Sequence, residues 1–293
     1  MARPVPRALF RARSPTEWSP APGNPRVVMV GVPFDATQSY RPGARLGPSA
    51  VRYALPNMEF YSIELRRSLE DLSIGDAGDL EYTSDVAHML RFVEEAVAEL
   101  RDSGKSPAVV GGEHTVTLAS YRPFCGATLV VFDAHLDMRD EIYGLRISHA
   151  TFLRRLLESC NMELLHIGGR AFSDEELEFA RSRELKIYTS QDLNGALESL
   201  SGLSRSDRVY VSLDLDVLDP AFAPGVGNPE PGGLSSSELL RLIASLDGAP
   251  LVGFDVVELS PPYDPSGVTS AIAAKALLML ASIADRSRGS RGP

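Results

Sequence analysis

The sequence is short of cysteine. Cys125 and Cys160 are the only two among 293 residues, too few for a disulfide framework or a zinc ribbon, and neither belongs to a CxxC motif. A reducing cytosol is the simpler setting. Long apolar runs are also missing. No stretch approaches the ~18 to 20 residues of a membrane span, and the N-terminus has no continuous apolar signal core, so a soluble, cytoplasmic protein is expected. Positive charge is in deficit: 29 Lys and Arg face 39 Asp and Glu, a formal net charge of −10. That balance argues against non-specific attraction to nucleic acid or an anionic membrane, and it suits a small cationic ligand. The absence of a fixed-period repeat or low-complexity tract excludes solenoids and propellers. There is no GxxxxGK[ST] loop, and Gly225-Val226-Gly227 lacks the third glycine of GxGxxG, which disfavours a nucleotide enzyme. The Asn-His-Glu and Gly-His-x-His segments of binuclear phosphoesterases are missing as well.

What remains is an ordinary globular composition, 44% hydrophobic and 23% charged, in a chain long enough to bury a sizeable core. No composition break separates Val27 from Asp285, so one domain over 1–293 is expected, with an N-terminal arm over 1–25 and a frayed tail over 286–293. Arg3, Arg7, Arg11 and Arg13 precede the first acid, Glu17, as in an organellar transit segment. Pro4, Pro6, Pro15, Pro20 and Pro22 would interrupt the amphipathic helix such a segment needs. An extended arm lying across the body or a neighbouring subunit is the better reading.

Short runs rich in β-formers read as buried strands: Val27 to Val32, Ala108 to Val110, Leu129 to Phe132, Leu164 to Ile167, Val209 to Leu213 and Leu251 to Val257. Helical faces alternate with them. Val86, Leu90, Val93, Val97 and Leu100 share one face behind Asp85, a plausible N-cap. Capping-box patterns open helices at Ser173 to Glu176 and Ser235 to Glu238. Ser148 leads into Phe152, Leu153, Leu156, Leu157 and Cys160, and Val268 to Ile283 forms an Ala- and Leu-rich closing helix. Strand and helix in alternation imply an α/β fold, a mostly parallel sheet with helices on both faces. Chemistry is then sought where strands end.

Three strand ends carry metal-type ligands. Leu129 to Phe132 runs into Asp133-Ala134-His135-Leu136-Asp137, whose alternation places Asp133, His135 and Asp137 on one side if the strand continues. Val209 to Leu213 runs into Asp214-Leu215-Asp216, and Ala108 to Val110 ends at Gly111-Gly112-Glu113-His114. A lone Asp or His after a strand is usually a turn former or cap; three such ends in one sheet are not accounted for that way. Four carboxylates and two imidazoles together must neutralise or be held by cations. An oxygen-rich set of six exceeds one tetrahedral zinc and suits two Mn²⁺-like ions sharing bridging carboxylates. His166, in an apolar strand, reads as a core histidine; His88, Trp18, Tyr40 and Phe34 stay unassigned.

At these residues the sequence resembles the ureohydrolase family, the arginases and agmatinases. The likeness covers Gly111-Gly112-Glu113-His114, Asp133 to Asp137, Ser148-His149-Ala150-Thr151, Ser212 to Pro220, Pro229-Glu230-Pro231-Gly232-Gly233, and Glu258 with Pro261 and Asp264, in family order. The resemblance implies a three-layer α/β/α architecture around a mostly parallel sheet of about eight strands, assembled as a homo-oligomer, a trimer or hexamer. It implies two Mn²⁺ per subunit: one on His114 and Asp137, the other on His135 and Asp216, with Asp133 and Asp214 bridging. The implied reaction is attack of a hydroxide shared by the metals on a guanidinium carbon, releasing urea. Asp137 would relay the proton to the leaving amine, His149 would shuttle protons or touch the substrate tail, and Glu258 would hold the guanidinium.

The tail of the substrate is read by loops. The arginases' Asn-containing loop is replaced here by Met138-Arg139-Asp140-Glu141-Ile142, which disfavours arginine. Pro224 to Gly233 is nearer the agmatinase form, with Val226 and Asn228 where threonines are often found. Asp140, Glu141 or Glu230 would favour the free amine of agmatine, whereas Arg139 or Arg146 would favour the carboxylate of 4-guanidinobutyrate. Agmatine hydrolysis to putrescine and urea is therefore the first expectation and another guanidino substrate the second. A metal-stabilised scaffold without turnover is the non-enzymatic alternative.

Overall fold

The computed structural model describes residues 24–70, 72, 74–203 and 208–289; Trp18 and nearly all of the expected arm lie outside them. In chain order the elements are β1 (Val27–Gly31), α1 (Gly47–Ala54), the small hairpin β2 (Tyr61–Ser62) and β3 (Arg67–Ser68), β4 (Ile74–Asp79), α2 (Val86–Asp102), β5 (Ser106–Val110), α3 (Val116–Tyr121), β6 (Thr128–Phe132), α4 (Phe152–Ser159), β7 (Leu164–Gly169), α5 (Asp174–Ser182), β8 (Lys186–Thr189), α6 (Leu193–Gly202), β9 (Val209–Asp214), α7 (Ser236–Ala244), β10 (Leu251–Val257) and α8 (Val268–Gly289). The last helix runs past Arg286, where the tail was expected to begin.

Eight strands form one parallel sheet in the order β4-β1-β5-β10-β9-β6-β7-β8. Successive residues of a strand point to opposite faces, and the two apolar layers divide accordingly. Val130, Phe132, Val209, Val211 and Leu213 lie on one face with α6, α7 and α8. Leu129, Val131, Val109 and Tyr210 lie on the other with α2, α3, α4 and α5. This is the expected three-layer α/β/α arrangement, and covering both faces explains why the central strands are predominantly apolar, with Ser212 and Asp255 as buried exceptions.

The helix starts follow local chemistry. Asp85 caps α2 by accepting from the His88 amide at 2.8 Å. Ser173 with Glu176 and Ser235 with Glu238 close reciprocal capping boxes on α5 and α7. Edge strands β4 and β8 escape the apolar-run criterion because they are polar. On β4, Asp76 and Asp79 both pair with Arg52 of α1.

Two expectations need correction. By length and composition, Val268–Ser287 of α8 does qualify as a membrane-spanning stretch, but 72% of that window is buried inside the fold. It packs against α1, α7, β5 and β10 as the core helix of one layer. Cys125 and Cys160 are brought together as a disulfide with Cα atoms 5.4 Å apart, so scarcity of cysteine no longer argues for a reducing compartment.

Candidate metal centre

The four adjacent strands β5, β10, β9 and β6 end at the same edge, and every candidate ligand is attached there. His114 follows β5 through Gly111 and Gly112. A Cβ on Gly112 would sit 1.7 Å from the carbonyl oxygen of Phe34, so only glycine lets the loop after β1 pass this close. Strand β6 stops at Phe132, so Asp133, His135 and Asp137 do not converge by strand alternation. They converge through a loop in which Asp137 adopts a left-handed φ of 51°. Likewise Asp214 closes β9 while Asp216 lies in a 3-10 turn over Leu215–Val217, so their spacing is a turn's. Glu258, just beyond β10, also has a positive φ, 64°. Such backbones are uncommon for residues other than glycine and cluster at functional positions.

Asp133, Asp214 and Asp216 are each held by one oxygen and offer the other. Asp133 Oδ1 accepts from the His135 amide at 2.6 Å, Asp214 Oδ1 from the Asp216 amide at 2.7 Å, and Asp216 Oδ1 from the Ala134 amide at 3.0 Å. The opposite oxygens converge. His114 Nδ1 lies 3.0 Å from Asp133 Oδ2, 3.2 Å from Asp137 Oδ2 and 3.1 Å from Asp214 Oδ2. His135 Nδ1 lies 2.9 Å from Asp216 Oδ2 and 3.6 Å from Asp133 Oδ1. Two ligand groups result, His114–Asp133–Asp137 and Asp133–His135–Asp216, sharing Asp133. Asp214 stands beside the first group.

The donor set fits divalent cations. His114 Nδ1 and Asp133 Oδ2 are buried and make no hydrogen bond, a costly state unless a cation occupies the space between them. Burial pushes the Asp137 carboxyl up to about 8, with the Asp133 charge adding to it. Burial followed by the Asp216 charge raises Asp214 well above the usual range. Burial also opposes the charge on Asp133, but the His114 and His135 imidazoles beside it outweigh that and hold the carboxyl well below its usual range. Four carboxylates and two imidazoles are thus in conflict without added positive charge. Asp133, reaching both groups, is the natural bridge.

Glu258 and His149 line the same crevice. Glu258 is buried, its Oε1 accepting from the His114 amide at 2.7 Å and its Oε2 from Gln38 Nε2. His149 lies before α4 in a turn, not at the helix start, since α4 begins only at Phe152. Its Nε2 is 3.0 Å from Ser39 Oγ and 3.5 Å from Asn228 Nδ2, and burial, then the charge on His135, pushes its pKa down to about 4. The sequence reading overlooked the segment Thr37-Gln38-Ser39, in which Thr37 also anchors buried Glu113. The strand-end criterion does not reach it, because these residues are uncharged and begin six positions beyond the end of β1 at Gly31.

Two tail assignments change. Asp140 is engaged by Arg155 at 2.7 Å, Arg146 at 3.2 Å and Arg154 at 3.7 Å, so neither it nor Arg146 stands free for a substrate tail. Arg139 lies 3.8 Å from Glu176. His166 is a buried core residue, its Nε2 2.7 Å from the His135 carbonyl, and Phe34 is likewise core.

Fold and site together define a class: an α/β protein with two adjoining groups of His and Asp that could hold cations, in the crevice beyond its central strands. The chain belongs to the arginase family, whose family model matches residues 25–282. It is 38% identical to an agmatinase of Bacillus anthracis over 85% of this chain and 88% of that protein. It is 35% identical to the proclavaminate amidinohydrolase of Streptomyces clavuligerus over 87% of this chain and 86% of that one. Among solved structures, the agmatine ureohydrolase of Thermoplasma volcanium superposes with a TM-score of 0.83 at 37% identity, covering 92% of both chains. The chain is an arginase-family hydrolase.

Proposed function

We propose that the protein hydrolyses agmatine to putrescine and urea with two Mn²⁺ ions bound per subunit. The observation that carries the reading is the shared carboxylate: Asp133 belongs to both ligand groups, and its outward oxygen and His114 Nδ1 are buried without hydrogen bonds. His114 and Asp137 would hold one ion and His135 and Asp216 the other, with Asp133 and Asp214 between them. When bound, such a pair supplies a water of lowered pKa and positive charge beside the reacting carbon.

The rest is the work of the chain's own side chains. Glu258 presents a carboxylate to the guanidinium through charge-assisted hydrogen bonds, its side chain fixed by the His114 amide contact. Asp137 passes a proton from the attacking water to the nitrogen whose bond to the guanidinium carbon breaks, so the amine departs as RNH2, and the second proton of that water, left on the urea oxygen, then converts it to the ammonium form. His149, held neutral by burial and oriented by Ser39 and Asn228, borders the leaving amine. The net negative charge of the chain suits a dication, and with Asp140 committed to arginines the free amine falls to Glu141 or Glu230. Residues 1–293 act as one catalytic unit in a cytoplasmic homo-oligomer, trimeric or hexameric, as the family resemblance implies. The proclavaminate amidinohydrolase relative supports a second reading, hydrolysis of a different guanidino compound.

The test is urea release from agmatine, arginine and 4-guanidinobutyrate by Mn²⁺-loaded protein beside a metal-stripped control. Urea from agmatine alone supports the first reading and preference for another substrate the second. No urea from a protein holding two ions would leave only a metal-stabilised scaffold.

A further inference from the structure

One buried carboxylate takes no part in the roles above. Asp255 lies in the middle of β10, fully buried, and among the described residues no lysine or arginine pairs with it. Its charge is instead surrounded by hydroxyls. Oδ1 accepts from Ser212 at 2.6 Å and Thr117 at 3.1 Å, and Oδ2 accepts from Ser120 at 2.8 Å and Tyr210 at 3.0 Å. The sheet dictates the closest of these contacts, because Asp255 and Ser212 are register partners on β10 and β9. Ser212 Oγ in turn lies 3.0 Å from His114 Nε2. A carboxylate kept in an apolar layer without a counter-ion is a poor stabiliser, and an apolar residue of similar volume would serve packing at least as well.

We propose that Asp255, acting through Ser212, is a positioning group that fixes the tautomer and orientation of the His114 imidazole for metal binding. A proton count gives the direction. A carboxylate only accepts, and Asp255 Oδ1 at 2.6 Å is the nearest of three partners of Ser212 Oγ, ahead of His114 Nε2 at 3.0 Å and Thr117 Oγ1 at 3.1 Å, so the Ser212 hydrogen is directed to it. Ser212 Oγ is left to accept from His114, which places the imidazole hydrogen on Nε2. The same contact turns Nδ1, the nitrogen facing Asp133, Asp137 and Asp214, toward the place a cation would occupy. The chain Asp255–Ser212–His114 is a carboxylate–hydroxyl–imidazole relay of orientation, comparable in effect to the carboxylate–histidine pairs that support metal ligands elsewhere.

The inference rests on the two-ion reading, and the experiment separates their failures. Mn²⁺ binding to metal-stripped full-length protein is titrated by the electron paramagnetic resonance of free Mn²⁺, for the wild type, Ser212→Ala, Asp255→Asn and the control Tyr121→Phe. Tyr121 is equally buried on the same side of the sheet but bonds the Ala127 carbonyl. Ser212→Ala and Asp255→Asn should weaken one of two ions by about 10- to 100-fold and leave the other as in the wild type, while Tyr121→Phe changes neither. If Asp255→Asn does not fold, Ser212→Ala decides alone. Unchanged affinities, or equal weakening by Tyr121→Phe, overturn the proposal while the two-ion reading stands. A wild type that fails to bind two ions overturns both.

Discussion

Replacing Arg170 by lysine should loosen the turn that presents Asp216. The Arg170 guanidinium sits behind that turn and donates to the carbonyls of Gly168, Asp216, Val217, Leu218 and Glu230, at distances from 2.7 to 3.2 Å. Lysine keeps the charge but supplies three donors where arginine supplies five in a fixed fork. At least two of these contacts are then lost, and of the five carbonyls Val217 alone is shown with a backbone partner to fall back on, the Leu234 amide at 3.1 Å. Each orphaned acceptor costs about 1–3 kcal/mol when buried, and water reaching the half-buried side chain reduces the sum, so a loss of roughly 2–4 kcal/mol is expected. For a chain of this size that corresponds to a fall in Tm of about 5–10 °C, measured by calorimetry on metal-free protein so that metal occupancy does not enter. With Mn²⁺ restored, the ion on the His135 and Asp216 side should be the weaker one in R170K. A variant whose Tm lies within about 1 °C of the wild type would refute the reasoning, since the carbonyl contacts would then carry no net energy.

Asp137→Asn should lower kcat by at least about 100-fold, the scale of a lost general acid or base, with a smaller change in KM; steady-state urea release reads this, and full turnover with metal bound would remove Asp137 from the proton path. Phe132→Ala, at a fully buried site on β6, should cost about 3–5 kcal/mol by leaving a cavity, seen as a lower denaturant midpoint at unchanged m-value. Asp219 accepts from the amides of Ala221, Gly232 and Gly233, and these bonds hold its carboxyl below the usual value of 3.8. Its folded pKa is depressed, so its stabilisation is complete above pH 3.8 and disappears as pH falls through the folded value. Unfolding midpoints of wild type and Asp219→Asn should therefore differ near neutral pH and converge once pH falls below the folded value; a gap that persists in acid would assign the effect to something other than the charge.

Much of this was legible because burial on both faces leaves a plain mark on a parallel sheet. Strand β10 was read with its full bounds, and β1, β5, β6, β7 and β9 were each found within a few residues. Edge strand β4 was missed because Gly75, Asp76, Gly78 and Asp79 carry no β signal, and it holds its place through pairing with β1 and the Arg52 ion pairs. The ligand residues stood out as charges after apolar runs, whereas the turns that aim them depend on dihedrals that no residue pattern announces; Asp137 at φ 51° is the plainest case. The engagement of Asp140 is not legible in its neighbours because Arg154 and Arg155 come from α4 and Arg146 from further along the same β6–α4 connection. Asp255 was hidden for the opposite reason: a single polar residue inside Leu251 to Val257 reads as noise until the sheet sets Ser212 beside it.

The strand order carries a consequence for how the protein is made. Synthesis runs from residue 1, and β10 is the last strand to be delivered, yet it belongs between β5 and β9 in the middle of the sheet. Until residues 251–257 have cleared the ribosome, the nascent chain holds two half-sheets whose inner edges are open, a state exposed to mispairing. His114 stands on one half, and Asp133, His135, Asp214 and Asp216 on the other. Insertion of β10 joins the halves and brings Glu258 with it, so a nascent chain cannot assemble the full set of cation ligands before β10 is translated. Acquisition of metal would then mark completion of the fold.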